Sequence, residues 1–199
     1  LALYIRTLTP GVGVKDGFEL QVVSATLGIA HPTGYPLISL LGRLCITLIP
    51  FGSPAYRVNL MCALFAAAAI PLVYALGRRM LGRRAPALTG ALCFAYAPTL
   101  WGQASIPEKY TLNVLFVALV LYLAVRWSQE RGPQRAPWLR GLALAYGMSL
   151  AHHRTMLLLA PALALYVLLS EPGLLRQPRL LLGAALLVCA PLLLYLYIP

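Results

Sequence analysis

Negative charge is what this chain lacks. Its 199 residues include five Asp and Glu against 16 Lys and Arg, and only 11% are charged at all. A soluble domain is about 25% charged, so a water-covered globular surface is excluded. Cysteine is sparse as well: Cys45, Cys62, Cys93 and Cys189 stand singly in apolar runs. They offer no zinc or redox spacing and read as small buried hydrophobes. Neither D-x-D nor H-E-x-x-H occurs, and GVGVKDG spaces its glycines wrongly for a dinucleotide fingerprint with no strand before it. No metal site is therefore assigned and no nucleotide site is seen. The carboxylates and histidines leave room for a divalent cation, but no ligand set is specified. There is also no soluble domain, internal repeat or low-complexity stretch.

What the chain has is apolar length. It is 60% hydrophobic, with a mean hydropathy of +0.78. A membrane span needs about 20 apolar residues, with a range of about 17–25. Residues 1–8 read as the end of a first span. Residues 17–30 and 36–49, interrupted by HPTGYP, suit two external interfacial helices. Six further spans follow over about 58–198: 58–76, 86–101, 109–126, 139–151, 155–169 and 180–198. The 86–101 and 139–151 runs are short, as for helices ending inside a cavity. The fold class expected is all-α, a polytopic transmembrane helix bundle forming a single domain. The chain opens inside LALYI and closes on LLLYLYIP, which reads as a fragment of a longer protein.

The basic residues orient the bundle. Arg78, Arg79, Arg83 and Arg84 fill one gap, Arg126, Arg131, Arg135 and Arg140 flank the next, and Arg176 and Arg179 mark a third. The positive-inside rule makes that side cytoplasmic, so the net charge of +11 speaks of topology and not of nucleic acid. The opposite gaps hold Asp16, Glu19, Glu108, Arg57, Lys109, Arg154 and all three histidines. Polar functional groups thus converge on the extracytoplasmic face of a multi-pass protein, expected in a bacterial-type inner membrane.

Asp16 and Glu19 come first among the candidates, because a charge at membrane depth costs roughly 2.5–3.5 kcal/mol on insertion scales. Three apart, they share one helix face. One of them can take a proton from an acceptor hydroxyl, or Asp-x-x-Glu can be a capping box; both readings stand on spacing alone. His31-Pro32-Thr33-Gly34-Tyr35-Pro36 forms a rigid turn. There His31 and Tyr35 either meet an anionic ligand or merely connect two helices. Arg57, on the outer side against the orientation rule, suits a lipid phosphate or snorkels to headgroups; Asn59 follows it. Glu108, Tyr110 and Asn113 open another span and also match ordinary helix N-terminal signals. His152, His153 and Arg154 can cradle a phosphate, or form a polar loop with Thr155 as N-cap. On a helix adjacent histidines point in different directions, which argues against a metal held by that dipeptide. Together these groups suit displacement at a sugar carbon, with a carboxylate deprotonating the acceptor and cations stabilising a departing lipid phosphate.

The segments DGFELQVVSATLGIAHPTGYPLISLLGRL, RVNLMCALFAA, PEKYTLN and LAHHRTMLLLAPAL resemble a family of multi-spanning membrane glycosyltransferases. That family belongs to the C superfamily and includes the transmembrane-protein-260-like protein O-mannosyltransferases. The family's Asp-x-x-Glu falls on Asp16 and Glu19, and its His-Pro-Pro-Gly-Tyr-Pro on residues 31–36. Its Arg-Val-Asn falls on residues 57–59, its Glu-x-Tyr-Thr-x-Asn on Glu108, Tyr110, Thr111 and Asn113, and its Asn-His-x-Thr on residues 152–155. Thr33 replaces a common Pro, while His152 and Arg154 add cationic character. The resemblance implies a glycosyltransferase C-type bundle, a polyprenyl-phosphate-linked sugar donor, a protein or glycan acceptor and an inverting transfer. It makes Asp16 the expected base, with Glu19 as runner-up. His31, Tyr35, Arg57, Asn59, Glu108, Tyr110, Asn113, His152, His153 and Arg154 are then the expected donor- and phosphate-binding residues. A transporter or flippase for a lipid-linked or anionic substrate is the competing class. It calls for charges within spans and two related halves, whereas here the charges lie at span ends.

Overall fold

A computed structural model describes residues 1–14 and 16–197. Among them there are helices and turns and no strands. The α-helices are α1 (Ala2–Arg6), α2 (Asp16–Thr26), α3 (Pro36–Leu48), α4 (Pro54–Leu81), α5 (Arg84–Ala95), α6 (Pro98–Ala104), α7 (Tyr110–Gln129), α8 (Arg135–His152), α9 (Ala160–Ser170) and α10 (Pro178–Cys189). Short 3₁₀ segments follow α7, α8, α9 and α10.

The helix ends follow local chemistry. Ser53 caps α4, its hydroxyl accepting the Tyr56 N–H at 3.2 Å, and Pro54 stands in the first turn, where its missing N–H costs nothing. Gly82 ends the helix at φ 68°, and Arg78 and Arg79 sit in the last turn, where the helix dipole favours cations. The 86–101 run divides into α5 and α6. Pro98 holds the preceding Ala97 in extended backbone, because its ring clashes with a helical residue before it.

Among the described residues, three helices are long and apolar enough to cross a membrane: Pro54–Leu81, Tyr110–Gln129 and Pro178–Leu196. The last is α10 continued into its 3₁₀ tail. Pro36–Leu48 and Arg154–Ser170 are apolar but shorter. α9 and α10 bury no residue, and leucines such as Leu169, Leu182 and Leu186 are exposed. In a bilayer those faces meet lipid without cost.

α4 is the hub of the bundle. Ala63, Ala66 and Ala69 are fully buried along it, and small residues let helix backbones close up where lipid supplies no hydrophobic drive. Gly147 does the same on α8, where a Cβ would lie 2.4 Å from the Val188 carbonyl oxygen. One core cluster joins Leu20 of α2, Leu37 and Ile38 of α3, Val58, Met61 and Cys62 of α4, and Leu112 and Phe116 of α7. It fixes the α2–α3 hairpin on the two spanning helices. A second packs Val120, Ala124 and Trp127 of α7 against Leu139, Leu142 and Ala145 of α8. There Arg126 pairs with Glu130 and lies 4.6 Å above the Trp138 ring. Arg135 pairs with Glu171 and lies 4.2 Å above the Trp127 ring.

α2 and α3 cross at Gly42, where a Cβ would meet Ser24 Oγ at 2.1 Å and Ser24 Cβ at 2.7 Å. The Ser24 hydroxyl is buried with no hydrogen-bond partner among the described residues. Gly42→Ala is therefore expected to destabilise the intact protein by about 1–3 kcal/mol, the usual range for overpacking. Ser24→Ala should be neutral or stabilising, because no hydrogen bond is lost. Thermal unfolding in detergent reads both, and a Gly42→Ala protein as stable as wild type would show the crossing to be loose.

Candidate active site

The first turn of α2 meets the segment leading into α7 because two side chains are missing. A Cβ on Gly13 would come within 2.9 Å of Pro107 Cγ, and one on Gly17 within 2.8 Å of it and 2.9 Å of the Pro107 carbonyl oxygen. Asp16, beside Gly17, then faces Lys109: Nζ donates to Oδ2 at 2.7 Å. The Lys109 ammonium lies 5.1 Å from the Tyr35 ring centre and 5.5 Å from that of Tyr110. A third element anchors its backbone, as His152, the last residue of α8, donates from Nε2 to the Lys109 carbonyl at 2.9 Å. Lys109 is only 8% exposed, whereas the Asp16 side chain is 54% exposed.

Glu19, one turn further along α2, does different work. Its Oε1 accepts the His31 backbone N–H at 2.7 Å, and its Oε2 meets His31 Nδ1. The carboxylate thus clasps the 31–36 turn to α2. The turn ends at Tyr35, which sits in left-handed backbone at φ 45° just ahead of Pro36. Its ring packs edge-on to His31 at 5.3 Å and lies 6.0 Å from His153. Asp16, Glu19, His31, Tyr35, Glu108 and Lys109 line one cleft. The cleft is narrow inside, with about 20 Å³ of free space, and open at its mouth, where the Asp16 side chain is half exposed.

Charge in the cleft is strongly structured. The hydrogen bond and charge of Lys109 hold the Asp16 carboxyl below the usual carboxylate range. Burial works to lower the Lys109 pKa, but the Asp16 hydrogen bond and the neighbouring Asp16, Glu108 and Tyr35 outweigh it, and the net direction is upward. Burial raises the Glu108 pKa. Burial, then the Lys109 charge, lowers that of His153. Two acids of one cleft are thereby pushed apart, Asp16 toward its ionised form and Glu108 toward its neutral one.

The other expected donor residues are spread out. Tyr110 and His153 lie outside the residues that line the cleft, with their rings 5.9 Å apart. His153 also caps the 3₁₀ segment 154–159 by accepting from Thr155. Arg154 is exposed and has no partner among the described residues. Arg57 stands apart from the cleft. Its Nη1 donates to the Ile46 carbonyl at 2.6 Å and its Nε reaches Phe51 and Gly52 at 3.1 Å, so it closes the end of α3 onto α4. Asn59 is fully buried, donating to the Thr9 and Gly11 carbonyls at 2.8 and 3.0 Å and accepting from Gln21 Nε2 at 2.6 Å. Asn113 has a buried Oδ1 with no partner among the described residues. Among those residues, no group of three or more His, Cys, Asp or Glu could hold a metal.

Sequence reading passed over two residues. Lys109 reads as a helix-start residue, although a cation on the outer side breaks the orientation rule just as Arg57 does. Gln21 is a lone polar residue in an apolar run. Its Oε1 accepts the Gly13 N–H at 2.9 Å, tying the 9–14 loop to α2.

Fold and site define a class: an all-α integral-membrane protein with a carboxylate–ammonium pair at the mouth of a small cleft. Residues 16–174 match the family described as the Protein O-mannosyl-transferase TMEM260 N-terminal domain, and the chain belongs to that family. It is 37% identical over 158 residues to Protein O-mannosyl-transferase TMEM260 of Mus musculus, covering 79% of this chain and 22% of that protein. It is 30% identical over 131 residues to Protein O-mannosyl-transferase tmem260 of Dictyostelium discoideum, covering 65% of this chain and 16% of that one. The chain thus spans less than a quarter of the length of either relative. No solved structure matches it.

Asn59→Leu would leave the Thr9 carbonyl without a partner and would take from Gln21 Nε2 and the Gly11 carbonyl their shortest ones, leaving Gln21 Nε2 only the Gly11 and Ala55 carbonyls at 3.3 and 3.4 Å. Each buried orphan costs about 1–3 kcal/mol. The expected outcome is a loss of about 1–3 kcal/mol in unfolding free energy, read by thermal or denaturant unfolding of the intact protein; a shift well below about 1 kcal/mol would show that water reaches the network.

Proposed function

We propose that this chain is the reacting part of an integral-membrane glycosyltransferase of the mannosyltransferase kind. It moves a sugar from a polyprenyl-phosphate donor to an acceptor hydroxyl on a protein or glycan. Asp16 is the base. The acceptor oxygen bonds the sugar's anomeric carbon from the face opposite the phosphate, which inverts that carbon. Its proton passes to Asp16, and the bond to the phosphate oxygen breaks with its electrons going to the polyprenyl phosphate. The observation that carries this reading is the pairing of a half-exposed Asp16 with a buried Lys109 in a cleft of a chain whose family is described as an O-mannosyl-transferase. Glu19, with both oxygens turned to His31, positions the turn and leaves the proton to Asp16.

Beside the cleft, Tyr110 also borders an apolar cavity of about 430 Å³ with Phe94, Ala97, Leu100 and Val114. A polyprenyl chain fits that chemistry, with its phosphate delivered past Tyr110. In this reading the protein is multi-pass, α2 and α3 lie in the interface, and the cleft opens to the extracytoplasmic side of a bacterial-type inner membrane. Among the described residues, the arginine-rich turns after α4 and α7 stand at the other end of those helices, as the positive-inside rule requires.

Two outcomes are expected. With a synthetic polyprenyl-phosphate mannose and a peptide or glycan acceptor, Asp16→Asn in the intact protein should cut kcat by roughly 10²–10⁴-fold, the usual worth of a positioned base. Glu19→Gln should keep more activity than that. Translocation of the lipid-linked sugar without covalent product, or full activity in Asp16→Asn, would sink the reading.

The second outcome concerns pH. Asp16 accepts the proton only when ionised, and Lys109 keeps it ionised below the usual carboxylate range; His31 and Glu108 also face it. The acid limb of kcat/KM, which reports the free enzyme, should therefore lie below the ordinary carboxylate range and be lost only as pH falls through that depressed value. A limb at or above that range would assign the base to another group.

A further inference from the structure

We infer that the Lys109 ammonium is the phosphate anchor of this cleft, and that it reaches the phosphate by letting go of Asp16. The inference rests on the reading above, in which the cleft takes a phosphate-linked sugar. Among the described residues lining the cleft, Lys109 is the permanent cation. The other groups expected to meet a phosphate are committed elsewhere: Arg57 to backbone carbonyls, His31 to Glu19, His152 to the Lys109 carbonyl, His153 to Thr155, and Arg154 to the outside.

An ammonium has three donors. Here Asp16 Oδ2 takes one of them at 2.7 Å. The rings of Tyr35 and Tyr110, at 5.1 and 5.5 Å, attract the charge through their faces and offer no lone pair in its plane. Donors therefore remain for an incoming anion.

Burial decides which partner can leave. The Lys109 side chain is 10% exposed, and a buried ammonium without a counter-charge is costly. Asp16, at 54%, loses little when water replaces its partner. A phosphate entering beside Lys109 can thus substitute for Asp16 while the ammonium stays neutralised throughout. The released carboxylate regains ordinary basicity at the moment a donor is present, so the base is switched on by its own substrate. As the bond from the anomeric carbon breaks, the phosphate oxygen gains charge. Lys109 then binds the leaving group more tightly than the donor, which favours the transition state. The donor must also bind before the acceptor is activated.

The test is a binding measurement on the intact protein in detergent, with a synthetic polyprenyl monophosphate as probe. Lys109→Met should weaken binding at least tenfold, and Lys109→Arg should recover part of it. Asp16→Asn, which removes the competing carboxylate, should bind the probe severalfold more tightly than wild type, a change that a merely structural ion pair would not produce. Because Asp16 is half exposed, this second variant keeps the test decisive even if Lys109→Met fails to fold. Lys109→Met binding as wild type does, or Asp16→Asn binding more weakly than wild type, would overturn the inference. Inorganic phosphate displacing the probe at equal concentration would reassign the anchor to free phosphate and overturn it for a lipid ligand. No turnover is needed. If wild type transfers no sugar while the two variants shift as stated, the inference stands and the transferase reading falls. If wild type transfers sugar and Lys109→Met binds normally, the inference falls alone.

Discussion

The cleft depends on one steric fact, the near-contact of the α2 backbone with a proline. Gly13 and Gly17 present no side chain to Pro107, and only that absence lets the first turn of α2 approach the segment before α7. Asp16 comes from one side of this contact and Lys109 from the other. Gln21 and Asn59 hold the incoming loop from behind through buried hydrogen bonds. His152 holds the Lys109 backbone from α8. Four elements distant in sequence thus fix one ion pair, and none of them does so through a hydrophobic contact alone.

The scarcity of acids acquires a reason in the folded chain. Asp16, Glu19, Glu130 and Glu171 each pair with a cation or histidine. Glu108, the fifth, is pushed toward its neutral form by burial. In a protein surrounded by hydrocarbon an unpaired carboxylate is expensive, and this chain holds few that lack such an arrangement. The arginines far from the cleft follow the same rule with aromatic help, Arg126 over Trp138 and Arg135 over Trp127.

Much of this was legible in the sequence. The apolar runs located α4, α7 and the C-terminal helix, and HPTGYP marked the break between α2 and α3. Asp16, Glu19, His31 and Tyr35 were visible as a group because polar residues are rare in an apolar chain. The partition among them was not. Spacing could not tell that Glu19 would turn to His31 while Asp16 turned to a lysine 93 positions away. Arg57 and Asn59 show the opposite difficulty. Their polarity serves backbone carbonyls at helix junctions, and sequence alone does not separate a carbonyl from a ligand phosphate as an acceptor. The 86–101 run kept a span's composition, and Pro98 divided it through backbone sterics that hydropathy does not register.

Tyr35 carries a consequence of its own. A non-glycine residue in left-handed backbone holds roughly 1–3 kcal/mol of local strain, which glycine would relieve. Yet its ring faces Lys109, His31 and His153, and glycine has no ring. Folding and ligand handling therefore make opposite demands on a single position. The turn rests above its own conformational minimum where the cleft needs an aromatic wall, so selection for a sturdier protein alone would work against this residue.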